Sequence, residues 1–87
     1  MPTVFIPPQL RQLTGGVAQV QVEGTTVRQL VASLETEFPG IAARLTSGDS
    51  IAPGLAVSID GVISTRGLLA RVSPASEVHF LPAFGGG

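Results

Sequence analysis

The sequence contains no cysteine and no lysine. Without a thiol, the chain cannot form a disulfide, bind a metal through sulfur or hold sulfur as a persulfide on a side chain. Without an ε-amine, it has no group for a Schiff base, for a phosphate-binding loop of the Walker type or for accepting a modifier through an isopeptide bond. Any sulfur or acyl chemistry must therefore use another atom of the chain.

Charged residues are also scarce, at 13% of the chain against 44% hydrophobic residues. This composition excludes a disordered chain, and 87 residues leave no apolar surface for a second core, so we expect one packed domain. The basic residues are scattered and form no stripe that would neutralise phosphates, which argues against nucleic acid as a partner. They are Arg11, Arg28, Arg44, Arg66 and Arg71.

Long apolar runs are absent as well. No stretch approaches the roughly 20 residues of a membrane-spanning helix, and the first residues lack the pattern of a signal peptide. We therefore expect no membrane contact, a cytoplasmic location and a monomer when the protein is not bound to a partner.

One helix is clearly marked in the sequence. Thr26 is a suitable N-cap, and Gln29 follows at the spacing of a capping box. Pro39 and Gly40 end the helix. The apolar residues between these signals fall on one continuous stripe, namely Val27, Leu30, Val31, Leu34 and Phe38.

Runs rich in β-branched and apolar residues predict strands at 3–6, 17–22, 55–59, 62–63 and 77–81. The first two are expected to form a hairpin with a long loop, and Asp60-Gly61 is a tight turn. Short helical segments are expected at 41–45 and 66–72, with a polar loop at 46–53. This order predicts an α+β domain in which one main helix packs across a mixed sheet.

The C-terminal segment is the most unusual feature, because an apolar strand runs into Gly85, Gly86 and Gly87. At a glycine frequency of about 7%, three successive glycines at one chosen end occur by chance in about 0.03% of chains. We expect Pro82 to end strand pairing, so that a domain of residues 1–82 carries a flexible tail of residues 83–87. Because glycine has no Cβ, such a tail can enter a narrow cleft with its last carbonyl accessible from either side.

The reactive group of this tail is the carboxylate of Gly87. It is ionised at neutral pH and repels nucleophiles, so it needs activation by another protein. The expected route is attack on the α-phosphate of ATP, with magnesium and cationic groups supplied by that partner. The chain has no phosphate-binding motif and no Ser/His/Asp constellation, which indicates a substrate of enzymes with no cofactor or metal of its own.

Three segments carry a resemblance to a known family: Leu10 to Gly16 in the first loop, Gly24 to Val27 at the start of the helix, and Leu81 to Phe84 before the glycines. They resemble the ThiS/MoaD sulfur carriers, and within these the CysO type. The resemblance implies a β-grasp fold of the ubiquitin kind. It also implies that the terminal glycine is adenylated by an adenylyltransferase resembling the ubiquitin-activating enzyme and then converted to a thiocarboxylate.

For this sequence, the resemblance implies that Gly87 carries the thiocarboxylate and that Gly86 lies in the channel of the activating enzyme. Family members usually end in a glycine pair, whereas Gly85 makes a triplet here. The CysO-like features favour cysteine biosynthesis, with a sulfur-accepting synthase that uses PLP as the downstream partner. ATP and magnesium belong to the activating partner and are not bound by this chain.

The family contacts its activating enzyme through an apolar patch of the sheet near the tail. By strand alternation Leu81 points away from Val78 and Phe80, and Phe84 lies beyond the last pairing, so Leu81 and Phe84 are interface candidates. Phe5 is a weaker third candidate. His79, the only histidine, is expected to be solvated on the polar face of its strand.

Other functions use the same tail. A thiamin sulfur carrier, a small subunit of molybdopterin synthase and a ubiquitin-like protein modifier all present a C-terminal glycine, and the choice of acceptor lies in the partner enzyme. A structural interaction domain with an inert tail remains a fourth alternative.

Overall fold

The computed structural model describes residues 1–83, in which a five-stranded mixed sheet carries one long helix. The strands are β1 (Thr3–Phe5), β2 (Gln19–Gln21), β3 (Thr46–Ser47), β4 (Ser50–Ile51), β5 (Leu55–Ile59), β6 (Val62–Ile63) and β7 (Glu77–Pro82). The large sheet has the order β2-β1-β7-β5-β6, while β3 and β4 form a separate hairpin. The first and last described strands, β1 and β7, pair in parallel and lie side by side inside the sheet.

The main helix α1 (Val27–Glu37) begins at the predicted N-cap. The backbone N–H of Gln29 donates to Thr26 Oγ1 at 3.2 Å, and the side-chain Oε1 of Gln29 accepts the backbone N–H of Thr25 at 2.7 Å. The reciprocal bond therefore reaches one residue further back than in the usual capping box. A short helix α2 (Ala42–Leu45) follows, and 3-10 helices cover Pro8–Thr14 and Gly67–Leu69.

The core lies between α1 and one face of the large sheet. Both the sheet and the helix contribute side chains that are at most 3% exposed. They are Val4, Val57, Val78 and Phe80 from the sheet, and Val27, Leu30 and Leu34 from the helix. Burial of each such side chain stabilises the fold by about 1.5–3 kcal/mol. The predicted helix stripe is thus confirmed, with Phe38 only partly buried at the C-cap.

Some predicted elements differ in extent. The polar loop 46–53 contains the β3–β4 hairpin, whose two-residue strands are too short to show alternation in the sequence. The strand predicted at 17–22 is limited to Gln19–Gln21, because β1 offers three residues to pair with. The helix predicted at 66–72 is reduced to the 3-10 turn Gly67–Leu69, since Gly67 has a φ of 54°, outside the right-handed helical region.

The expectation that Pro82 ends strand pairing is wrong. Pro82 is the last residue of β7 and lies opposite Leu55, and the backbone N–H of Ala83 still donates to the carbonyl oxygen of Gly54 at 2.8 Å. Antiparallel partners exchange hydrogen bonds only at every second pair. Since the Ala83 position is bonded, the nitrogen of Pro82 faces away from β5, where its missing N–H removes no bond to that strand.

Candidate functional site

The C-terminal strand is fixed at both ends of its length. At its start, the backbone N–H of Glu77 donates to Asp60 Oδ1 at 2.8 Å, and Ser76 Oγ donates to Asp60 Oδ2 at 3.1 Å. At its end, the bond from Ala83 to Gly54 holds the last described residue against the sheet. Asp60 adopts a φ of 52°, so the predicted Asp60-Gly61 turn is confirmed and also anchors β7.

The sheet has a second face, which points away from α1. Cross-strand partners on this face form a row of Phe5, His79, Ser58 and Ile63 over four strands. Leu81 and its partner Ala56 occupy the adjacent row, toward the end of β7. We call these six residues the outer face.

The outer face carries an aromatic pair that sequence reasoning missed. The rings of Phe5 and His79 stack with centroids 4.0 Å apart and planes inclined by 4°. His79 is half-buried rather than simply solvated, because the parallel β1–β7 register sets it directly beside Phe5. This contact could have been predicted only from the parallel pairing of the first and last strands. The periodicity of a single strand gives no information about that pairing.

The predicted interface residues are partly brought together. Leu81 and Phe5 both lie half-buried on the outer face, on neighbouring strands. Phe84, Gly85, Gly86 and Gly87 lie outside the described residues, so their proposed roles stay predictions, as does the domain boundary at residue 82. The arrangement places an apolar and aromatic surface on the strand that leads into the glycine segment.

Other chemistry has little support in residues 1–83. This part of the chain contains no cluster of His, Cys, Asp or Glu that would hold a metal ion, and none of its helices is long and apolar enough to cross a membrane. The pKa of Glu35 is lowered, because its carboxylate accepts the backbone N–H groups of Gly40 at 2.9 Å and Ala42 at 2.8 Å. This carboxylate joins α1 to α2 and is a structural group.

A mixed sheet crossed by one helix, with the C-terminal strand in the middle, defines a β-grasp protein of the ubiquitin-like class. The predicted α+β fold is confirmed. The sequence model of the ThiS family matches residues 4–87, and the chain belongs to this family. The predicted family resemblance is confirmed as well.

Individual relatives agree with the family assignment. The sulfur carrier protein CysO of Mycobacterium tuberculosis is 34% identical over 92 residues, which cover 98% of this chain and 97% of that protein. The crystal structure of M. tuberculosis CysO matches with a TM-score of 0.86 and 28% identity, covering 95% of this chain and 99% of that chain. The predicted closeness to the CysO type is confirmed by these matches.

A second solved structure is similar over the full length. A chain in the crystal structure of the Amycolatopsis orientalis BexX/CysO complex has a TM-score of 0.90 and 32% identity, with 100% of both chains covered. SAMP1 of Haloferax volcanii, with a TM-score of 0.71 and 20% identity, shares the fold. The name of the CysO relatives fits a carrier protein better than a catalyst.

Proposed function

We propose that this protein is a sulfur carrier that holds sulfur as a thiocarboxylate on the C-terminal carbonyl of Gly87. The observation that carries the proposal is its membership of the ThiS family over residues 4–87, together with relatives named sulfur carrier protein CysO. The absence of cysteine from the chain agrees with it, since no side-chain thiol is available to hold the sulfur.

The loading chemistry takes place in two steps on a separate enzyme. A carboxylate oxygen of Gly87 attacks the α-phosphate of ATP, and pyrophosphate leaves to give an acyl-adenylate. A sulfide equivalent then attacks the acyl carbon, and AMP leaves with the bonding electrons to give the thiocarboxylate. Magnesium and cationic groups of that enzyme stabilise the developing charge on phosphate, since the sequence from Phe80 to Gly87 contains no charged side chain.

Strand β7 sets the reach of the reactive end. Ala83, the last described residue, is hydrogen-bonded to Gly54, and Gly87 lies four residues further along the sequence. Four extended residues span at most about 14 Å. An adenylating enzyme must therefore bring its nucleotide site within that distance of the sheet edge, which requires direct contact with the body of the carrier.

The outer face is the surface that we assign to this contact. It is continuous with the strand that leads to Gly87, and it combines the Phe5–His79 stack with Leu81. Aromatic and aliphatic side chains that are only half-buried retain apolar area that a partner can cover. Phe84, which lies outside the described residues, is proposed as a further contact residue.

We assign the donated sulfur to cysteine biosynthesis, with a PLP-dependent cysteine synthase as the enzyme that accepts it. The support is the similarity to CysO. In this proposal the partner enzyme, rather than the tail, determines the acceptor. The protein itself acts as a carrier in the cytoplasm and binds no cofactor of its own.

The first test is ATP–pyrophosphate exchange with the cognate adenylating enzyme. The full chain should support exchange, and deletion of Gly86 and Gly87 should abolish it while the folding transition stays unchanged. A matched control replaces Gly48, in the β3–β4 turn, with serine and should retain exchange. Undiminished exchange with the truncated chain would refute the proposed function.

A further inference from the structure

An open groove of about 360 Å³ lies beside β6, at the edge of the sheet. Its lining includes the aliphatic side chains of Ile59, Val62, Ile63 and Ala70, with Arg66 and Arg71 among the polar ones. Val62 is 68% exposed and Ile63 is 54% exposed, which is high for branched apolar residues in a strand. We call this feature the β6 groove.

The backbone of β6 adds hydrogen-bonding capacity to this edge. Residue Ile63 lies opposite Ser58, and the next residue, Ser64, donates its backbone N–H to the carbonyl of Val57 at 2.8 Å. Because bonded and non-bonded pairs alternate, the N–H and C=O of Ile63 face away from β5. An incoming extended segment can pair with these two groups.

The charge of the β6 groove is positive. Within residues 1–83 the one ion pair joins Arg28 to Asp49, so neither Arg66 nor Arg71 is neutralised by a described carboxylate. Asp60 lies six residues before Arg66 in the sequence, and its two carboxylate oxygens accept hydrogen bonds from Glu77 and Ser76 at the start of β7. None of the residues that line the groove is acidic.

The opposite edge of the molecule has the reverse character. A groove of about 270 Å³ between β2 and α1 is lined by Glu23 and Glu37, with Gln21, Val22 and Ser33 between them. The two grooves therefore differ in charge, with carboxylates lining the one beside β2 and guanidinium groups lining the one beside β6. A partner that fits the β6 groove has to bring negative charge together with apolar surface.

The geometry points to the β6 groove as a docking site for an extended segment of a partner protein that carries carboxylates on either side of branched aliphatic residues. The aliphatic side chains cover Val62 and Ile63, and the carboxylates pair with Arg66 and Arg71. Arginine suits this role because its planar guanidinium binds a carboxylate with two parallel hydrogen bonds.

The site is lined by residues between Ile59 and Arg71 and does not depend on sulfur chemistry. Ile63 belongs both to the β6 groove and to the outer face, so one protein can occupy the two surfaces together. The groove nevertheless has its own recognition chemistry, which is ionic as well as apolar. Its binding can therefore be measured without any adenylating enzyme.

The test is an amide chemical-shift titration of the full chain with short capped peptides. The probe is Asp-Glu-Ile-Val-Asp-Glu, and its controls are Lys-Lys-Ile-Val-Lys-Lys and Asp-Glu-Ser-Ser-Asp-Glu. We expect shifts concentrated at residues 59–71 with the probe alone, and an affinity that falls as salt is added. The double variant R66E/R71E should bind about tenfold more weakly or worse. The variant R28E/R44E changes the net charge equally and should bind like the parent.

Other outcomes would overturn the inference. Equal shifts with the basic peptide or with the serine peptide would show that the groove does not select this chemistry. Undiminished binding by R66E/R71E, with an unchanged folding transition, would remove the two arginines from recognition. Shifts at residues 59–71 that depend on protein concentration without peptide would show that a second copy of the chain covers the groove instead. An absence of shifts at millimolar probe would also refute the site.

Discussion

The backbone N–H of Ala83 donates to the carbonyl oxygen of Gly54 at 2.8 Å, which extends the pairing of β7 with β5 past Pro82. Hydrogen bonding to β5 therefore continues to Ala83, one residue beyond Pro82, where we expected strand pairing to end. This relationship fixes the position of Ala83, which lies four residues before Gly87 in the sequence. It also makes the length of the tail, rather than its glycine content alone, a measurable part of the proposed function.

The Ala83 anchor predicts a specific pattern of hydrogen exchange. The amide of Ala83 should exchange at least about tenfold more slowly than an unstructured reference, because exchange requires breaking its bond to Gly54. Amide exchange followed by NMR measures this directly. Unprotected exchange at Ala83, with normal protection elsewhere in β7, would show that Ala83 makes no stable hydrogen bond to Gly54.

The outer face predicts a defect in partner binding. Leu81→Ala should raise the KM for the carrier in pyrophosphate exchange about tenfold and leave kcat nearly unchanged, because it removes apolar area that the enzyme covers on docking. Leu69→Ala is the matched control, since Leu69 is exposed but lies in the 3-10 helix away from the outer face. Equal KM values for the two variants would remove Leu81 from the interface.

Gly24 predicts a loss of stability that arises from a close contact. A Cβ at this position would lie 2.9 Å from Leu30 Cδ2 and 3.0 Å from the backbone nitrogen of Leu30, and the backbone contact cannot be relieved by a rotamer change. Gly24→Ala should lower the free energy of unfolding by about 2–3 kcal/mol. Gly48→Ala, where a Cβ meets nothing within 4 Å, should lose only the cost of its positive φ, about 1 kcal/mol. Urea denaturation compares the two, and equal losses would contradict the contact.

The Asp60 anchor predicts a difference between two substitutions. Asp60→Ala removes the acceptors of Glu77 N–H and Ser76 Oγ–H and should lower the free energy of unfolding by about 2 kcal/mol. Asp60→Asn keeps a side-chain carbonyl and the tolerance for positive φ, so it should lose less than half of that amount. Denaturant titration of both variants gives the comparison. A loss with asparagine as large as that with alanine would show that the charge, and not the acceptor, is required.

Glu35 predicts a dependence of stability on pH. The N–H groups of Gly40 and Ala42 lower the pKa of its carboxyl in the folded state, so the ionised form favours folding. This stabilisation is fully present above the unfolded-state pKa and is lost as pH falls through the lower folded-state pKa. Thermal unfolding of Glu35→Gln should show a smaller loss of Tm in acid than the parent protein shows. Glu37→Gln, on the same helix, is the control, and an identical acid dependence for Glu35→Gln and the parent would exclude this contribution.

Much of the fold is encoded in local patterns. Thr26, Gln29 and the stripe from Val27 to Phe38 define α1 without any knowledge of its neighbours, because capping and period are properties of the segment itself. The Asp60-Gly61 turn is visible for the same reason. The family resemblance then supplied the β-grasp arrangement that these local signals leave open.

The features that could not be predicted from the sequence depend on pairing between strands that are distant in the chain. The Phe5–His79 stack requires the parallel register of β1 with β7, and the position of Pro82 requires knowing which side of β7 faces β5. Neither is a property of one segment. The β6 groove likewise joins residues of β6 to Arg66 and Arg71, which lie on either side of the 3-10 helix Gly67–Leu69.

The central claim is that sulfur resides on the C-terminal carbonyl of Gly87. Intact-mass spectrometry of the protein isolated from its native cells, followed by fragmentation, tests this most directly. We predict a fraction of molecules in which one oxygen is replaced by sulfur, with the change confined to the last residue. Only unmodified carboxylate in cells whose adenylating enzyme is active, or sulfur found at another position, would contradict the account.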